Sequence, residues 1–190
     1  RPSPEERGDR NVCEGHPHTP GPSTGLGQSS GTSPLTIPLS RLTIIGADVS
    51  EKPYVAITMG DPAGIGPEVV AKALQSASVY EKCRPFVVGS AAALQDVQRL
   101  IGSGSTRVAH SLDEVTGESG AVDVLDLENL DYGSISRGKV SKAAGKASVE
   151  WILEAGEMAA AGRIQAIVTA PINKEACALA GYRDIGHMEI

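Results

Sequence analysis

The sequence predicts an α/β fold in which a parallel sheet is covered by helices, and three observations carry that prediction. Short apolar runs alternate with segments of helical periodicity from Pro53 onward. The runs stop at chain-turning residues: residues 54–59 at Gly60, residues 85–88 at Gly89, residues 166–169 just before Pro171. The first run, Tyr54-Val55-Ala56-Ile57-Thr58-Met59, is apolar at consecutive positions rather than alternating, as in a strand buried on both faces.

Taken in order, that run is the first strand, and a helix follows from Pro67. Val69, Val70, Ala73 and Leu74 share a helical face, and Pro67 suits a first helical position, where its missing amide costs nothing. Pro85-Phe86-Val87-Val88 is a second strand, and Ser90 caps a helix reaching about Leu100. Residues 107–120 read as a short strand and a loop, and Val122-Asp123-Val124-Leu125 as a third strand. Residues 141–162 carry the strongest helix signal. Ala144, Ala147, Trp151, Ala155 and Met158 recur at steps of three and four, and Gly162 stops them. Ala166-Ile167-Val168-Thr169 is a strand, followed by a helix over about 174–180. The roughly 140 residues from Pro53 on suffice for one core.

Composition narrows the function. Lys and Arg number 17 against 23 Asp and Glu, a net charge of -6, which argues against nucleic acid as partner. No apolar run approaches the ~20 residues of a membrane span. The cysteines Cys13, Cys83 and Cys177 are odd in number and far apart, which fits neither a disulfide framework nor a zinc ribbon and points to a reducing, cytoplasmic setting. Residues 1 to about 40 lack periodicity and hold almost no large apolar side chains, and residues 1–50 read as a disordered tail or non-native extension ahead of a folded part over 51–190. Within that tail, Cys13, His16 and His18 have metal-like spacing but no further ligand, and residues 42–47 form an apolar run suited to a domain surface. The chain opens without Met and stops inside an apparent motif, so it reads as a fragment.

Three places could carry chemistry. Gly60-Asp61-Pro62-Ala63-Gly64-Ile65-Gly66-Pro67-Glu68 joins a strand to a helix. Gly60, Gly64 and Gly66 can take positive φ and admit a ligand to the backbone, the helix start offers amides to an anion or a polar cofactor group, and Asp61 sits where open α/β sheets place their crevice. The spacing is neither a P-loop nor a full GxGxxG, and a well-made turn explains it equally well. In Thr169-Ala170-Pro171-Ile172-Asn173-Lys174-Glu175, Asn173 reads as a helix cap. Lys174, unfavourable beside a helix N-terminus, either serves an anionic ligand or lies in water. His187 in Gly186-His187-Met188-Glu189 can donate to a substrate oxygen or shuttle a proton, or serve as an ordinary surface or core residue. His110 is isolated, and Cys83 and Cys177 read as small buried or half-buried groups. Asp123, Asp126, Glu128 and Asp131 read as a solvated loop at a strand end.

Together these motifs resemble the 4-hydroxythreonine-4-phosphate dehydrogenase (PdxA) family. The residues that carry the resemblance are 55–68, then Gly138-Lys139-Val140-Ser141-Lys142-Ala143-Ala144-Gly145, then 166–176, and finally Gly186-His187-Met188-Glu189, in the family's order. The resemblance covers 53–190. It implies a three-layer α/β/α fold like that of the isocitrate and isopropylmalate dehydrogenases, cut before the C-terminal half. It also implies a homodimer that uses NAD or NADP and a divalent metal (zinc, magnesium or cobalt) to oxidise a phosphorylated hydroxy acid. The substrate implied is 4-phosphooxy-L-threonine of pyridoxal phosphate biosynthesis, whose 3-oxo product loses carbon dioxide. A catabolic branch acting on D-threonate or D-erythronate 4-phosphate fits as well, and a truncated non-catalytic relative is the alternative outside enzymes. The family's His-Thr pair contacts substrate. His187 matches its His, while Met188 stands in the place of Thr, and a thioether donates no hydrogen bond. The family's metal ligands fall beyond residue 190, so no metal ligand and no catalytic residue is assigned in this chain.

Overall fold

Strands β1 (Tyr54–Thr58), β2 (Arg84–Val88), β3 (Thr106–Ala109), β4 (Val122–Leu125) and β5 (Ala166–Thr169) form one sheet in the order β3-β4-β2-β1-β5. Every neighbouring pair is parallel. The computed structural model describes residues 52–182, so the expectations for residues 1–50, His187 and Met188 lie outside the described residues. Helices α1 (Gly66–Ala73) and α2 (Ala77–Lys82) connect β1 to β2, and α3 (Ala91–Ile101) connects β2 to β3. Helix α4 (Lys142–Ala160) leads from β4 to β5, and α5 (Lys174–Leu179) follows.

The layering follows from the handedness of parallel crossovers. The step from β1 to β2 and the step from β4 to β5 run in opposite directions along the sheet, so right-handed connections place α1 and α4 on opposite faces. Accordingly α1 packs on α3, while α4 lies across β1, β2 and β5 and carries α5. This is the three-layer α/β/α arrangement the sequence implied. The core between layers is built on Phe86, Val87, Val88, Val124, Leu94 and the α4 face Ala147, Trp151, Ala155 and Met158. Trp151 is fully buried, and its indole N–H donates to Asn129 Oδ1 at 3.0 Å.

The Ser90 cap read from sequence is present, with Ser90 Oγ accepting from Ala93 N at 3.4 Å, and Ser141 Oγ, not read as a cap, accepts from Ala144 N at 3.4 Å. Other expectations are corrected. Helix α2 has no counterpart in the sequence reading, because six residues with only Tyr80 buried leave no periodic signal. The short strand and loop expected over 107–120 are present, as the end of β3 and a loop with a 3-10 turn at Leu112–Glu114, and only the count changes, residues 122–125 being the fourth strand. Asp123 does not belong to a solvated loop. It is 1% exposed, and its carboxylate accepts from Arg107 Nη1 (2.8 Å), Thr116 N (3.0 Å), Thr116 Oγ1 (3.1 Å) and Gly117 N (2.8 Å). Four donors replace the water it gives up.

Candidate functional site

The site begins where β1 ends. Met59 is fully buried, and its amide donates to Val88 O at 3.0 Å, fixing the strand terminus. Gly60 then turns with φ +73, and a Cβ there would stand 2.3 Å from Pro171 O. Glycine is demanded twice over at this point, by conformation and by the approach of a second backbone. Asp61 N donates to the same Pro171 O at 2.9 Å, and Ser148 Oγ on α4 lies 2.9 Å from Gly60 O as donor. Of Gly60, Gly64 and Gly66, each able to take positive φ, Gly60 alone does so. Gly66 has an ordinary φ but no room, since a Cβ would lie 2.2 Å from Met59 O. Helix α1 starts at this residue, one ahead of Pro67.

The second loop follows β5. Ala170 N donates to Thr58 O at 3.0 Å, keeping the loop beside β1. Asn173 Oδ1 accepts from Ala176 N at 3.1 Å, so Asn173 caps α5 as its sequence position suggested. Lys174, the first residue of α5, is exposed. Between the two loops lies an open cleft of about 370 Å³, lined by Asp61, Gly64, Ile65, Pro171, Ile172, Asn173 and Lys174. Gly60 and Gly66 are not among its lining residues. The two separate sequence candidates, Asp61 with Gly64 and Asn173 with Lys174, thus share one cavity. It sits at the carboxyl ends of β1 and β5, where the strand order reverses and α/β sheets take their ligands. A larger hollow of about 760 Å³ lies at the opposite strand ends, around Gln98, Arg99, Ser103 and Thr106. Its side chains are already engaged, Thr106 Oγ1 with Gln98 Oε1 at 2.8 Å and Ser103 Oγ, as acceptor, with Gln75 Nε2 from outside the hollow at 2.7 Å. The smaller cleft is the better site, because it lies at the carboxyl ends of the strands and is lined by both loops marked in the sequence.

Asp61 is 7% exposed. Burial pushes its carboxyl pKa up, opposed by the Ala63 N–H that donates to Oδ1 at 2.9 Å. Burial also raises the Cys177 thiol, and the neighbouring Asp61 charge adds to the effect. The start of α1 offers an anion less than expected. The Glu68 and Val69 amides both donate to Ile65 O at 3.1 Å, Pro67 has no amide, and Glu68 adds negative charge. One contact at the cleft was not visible in the sequence: Gly138 N donates to Ala63 O at 2.7 Å, from a loop 75 positions away. Among the described residues, no three His, Cys, Asp or Glu side chains converge as a metal site. The residues here do not fit a metal on their own.

A parallel sheet with helices on both faces and a cleft at its switch point places the chain in the α/β class, whose ligands commonly bind at such positions. The family model described as pyridoxal phosphate biosynthetic protein PdxA matches residues 81–190, over half of the chain, and the chain belongs to that family. A Clostridium botulinum protein, provisionally named D-threonate 4-phosphate dehydrogenase, is 40% identical over 143 residues, 75% of this chain and 43% of the relative. The 4-hydroxythreonine-4-phosphate dehydrogenase of Desulforapulum autotrophicum is 38% identical over 143 residues, 73% of this chain and 41% of that protein. The crystal structure of a 4-hydroxythreonine-4-phosphate dehydrogenase from Burkholderia phymatum matches with a TM-score of 0.69 at 41% identity, covering 73% of this chain and 42% of that chain. The chain therefore spans less than half the length of these relatives.

Proposed function

We propose that this chain provides the first cleft of an NAD(P)-dependent dehydrogenase that oxidises a phosphorylated hydroxy acid, working as a homodimer in the cytoplasm. The observation that carries the reading is the meeting of the loops after β1 and β5 in one cavity, in a family whose relatives bear dehydrogenase names. In the reaction, the secondary alcohol gives its C–H hydrogen as hydride to the nicotinamide and its O–H proton to a base. With 4-phosphooxy-L-threonine as substrate, the resulting 3-oxo acid loses carbon dioxide. On this reading Asp61 and the 170–174 loop form one wall of the cleft, and His187 and Met188 meet the substrate. A divalent metal would stabilise the developing oxyanion, and none of the described residues is assigned to it.

D-threonate or D-erythronate 4-phosphate is a second substrate reading, favoured by the name of the 40% identical relative. A panel of these phosphorylated acids, assayed by NADH formation with the full-length protein and a divalent metal, separates the two. Turnover of 4-phosphooxy-L-threonine alone supports the biosynthetic reading, and preference for a phosphorylated sugar acid supports the other. Absence of turnover with every compound would overturn the dehydrogenase reading in favour of a non-catalytic relative.

A further inference from the structure

We infer that Arg137 is a positioning residue for the cleft: it holds the Asp61 carboxylate in place through the backbone contact between Gly138 and Ala63. The connection from β4 to α4 is long, and side chains tie its middle to α3. Asp96 Oδ2 on α3 accepts from Tyr132 Oη at 2.9 Å and from Arg137 Nη2, and its Oδ1 accepts from Arg99 Nη2 at 3.1 Å. Arg137 Nε also donates to Tyr132 Oη at 3.2 Å. The Tyr132 hydroxyl, together with Arg137 and Arg99, holds the Asp96 carboxyl below the usual carboxylate range, so the anchor is charged at neutral pH.

The residue after Arg137 makes the connection to the cleft. Gly138, at φ +70, turns and donates its N–H to Ala63 O at 2.7 Å. Ala63 is 3% exposed, and its own N–H donates to Asp61 Oδ1 at 2.9 Å. The path from the ion pair on α3 to the cleft carboxylate is therefore Asp96, Arg137, Gly138, Ala63, Asp61. If the anchor is released, the Ala63 carbonyl loses its partner and water must enter to replace it. The entering water reaches Asp61, whose carboxyl pKa is raised by burial, and returns it toward the solvated value. Neighbouring charges do not confuse the readout. Lys174 lines the cleft wall, and the Cys177 thiol on α5, raised by burial and by the Asp61 charge, stays neutral through the acid range.

The experiment uses the full chain, labelled with ¹³C and ¹⁵N, and reads two quantities. These are the hydrogen-exchange protection of the Gly138 amide and the pH midpoint of the Asp61 carboxyl carbon shift. In Arg137→Gln, Gly138 protection should fall by at least about tenfold while amides in the central strands keep theirs, and the Asp61 midpoint should move down. Tyr132→Phe, which removes one hydroxyl, should shift both readouts the same way by less, and Arg137→Lys should recover part of the loss. Unchanged Gly138 protection and an unchanged Asp61 midpoint in both variants would overturn the inference. So would a loss of protection spread evenly over the sheet, which would mark Arg137 as a general stabiliser. The inference rests on reading this cleft as the functional site. Neither readout involves turnover, so its failure and a failed substrate panel are separate results.

Discussion

Replacing Gly66 by Ala sets two well-understood effects against each other. Gly66 is the first residue of α1 and has an ordinary helical backbone, so propensity alone favours alanine by up to about 1 kcal/mol. The added Cβ would lie 2.2 Å from Met59 O, far inside contact distance. That oxygen belongs to backbone, and Met59 is fully buried with its amide bonded to Val88 O at 3.0 Å, so neither partner can swing aside. Relief requires the helix and strand to separate by on the order of 1 Å, and overpacking of this kind costs about 1–3 kcal/mol. The steric term should win, leaving Gly66→Ala less stable than the parent.

Gly156 supplies the control. It lies inside α4 with nothing within 4 Å of an added Cβ, so Gly156→Ala should stabilise by about 0.5–1 kcal/mol. Trp151, the only tryptophan and fully buried, reports unfolding in urea by its fluorescence. With a slope of about 1–3 kcal/mol per molar urea, the two midpoints should move in opposite directions by several tenths of a molar or more. A Gly66→Ala protein with a midpoint at or above the parent's would refute the claim that backbone proximity, not φ, selects this glycine.

Three further substitutions test the two buried carboxylates. The folded protein holds the Asp61 pKa above its ordinary 3.8, so the native state binds this proton more tightly, and stability is lost as pH rises from there through the raised value. Asp61→Asn should therefore gain stability over the parent at pH 7 and show no gain well below 3.8. Equal urea midpoint differences at both pH values would contradict the burial argument. Asp123→Ala should lose about 2–4 kcal/mol, because the Thr116 and Gly117 amides lose a charged acceptor, whereas the 38% exposed Arg107 side chain returns to water. Asp123→Asn should recover part of that loss on the same urea curve.

The features legible in the sequence are those whose physics is local. The runs at 54–59, 85–88 and 166–169 show their apolar character within a few residues, and Ser90 and Asn173 show their caps within one turn. What stayed hidden depends on partners distant in the chain. Asp123 reads as solvated because two of its donors, Thr116 and Gly117, sit in a loop and the third, Arg107, on the neighbouring strand. The reason for Gly66 is an oxygen of the preceding strand, and the Gly138–Ala63 contact joins two loops that share no sequence signal. The cleft itself was half legible. Both of its loops were marked as candidates, but their meeting required β5 to pair with β1, a register no local pattern announces.

The construction of the cleft separates residues that hold it from residues that can act in it. Gly60, Ala63, Gly66, Gly138 and Pro171 position one another through main-chain contacts, so a side chain added at Gly60 or Gly66 displaces backbone before it touches any ligand. Lys174 and Ile65 are exposed on the wall. Loss of activity at the glycines would therefore report on the frame, while a change in KM at Lys174 with an unchanged urea midpoint would report on the ligand. Asp61 belongs to both groups, since one oxygen is bound to the frame and burial sets its charge. It follows that Asp61→Asn, which keeps the oxygen facing Ala63 and removes only the charge, is the substitution that separates its two roles.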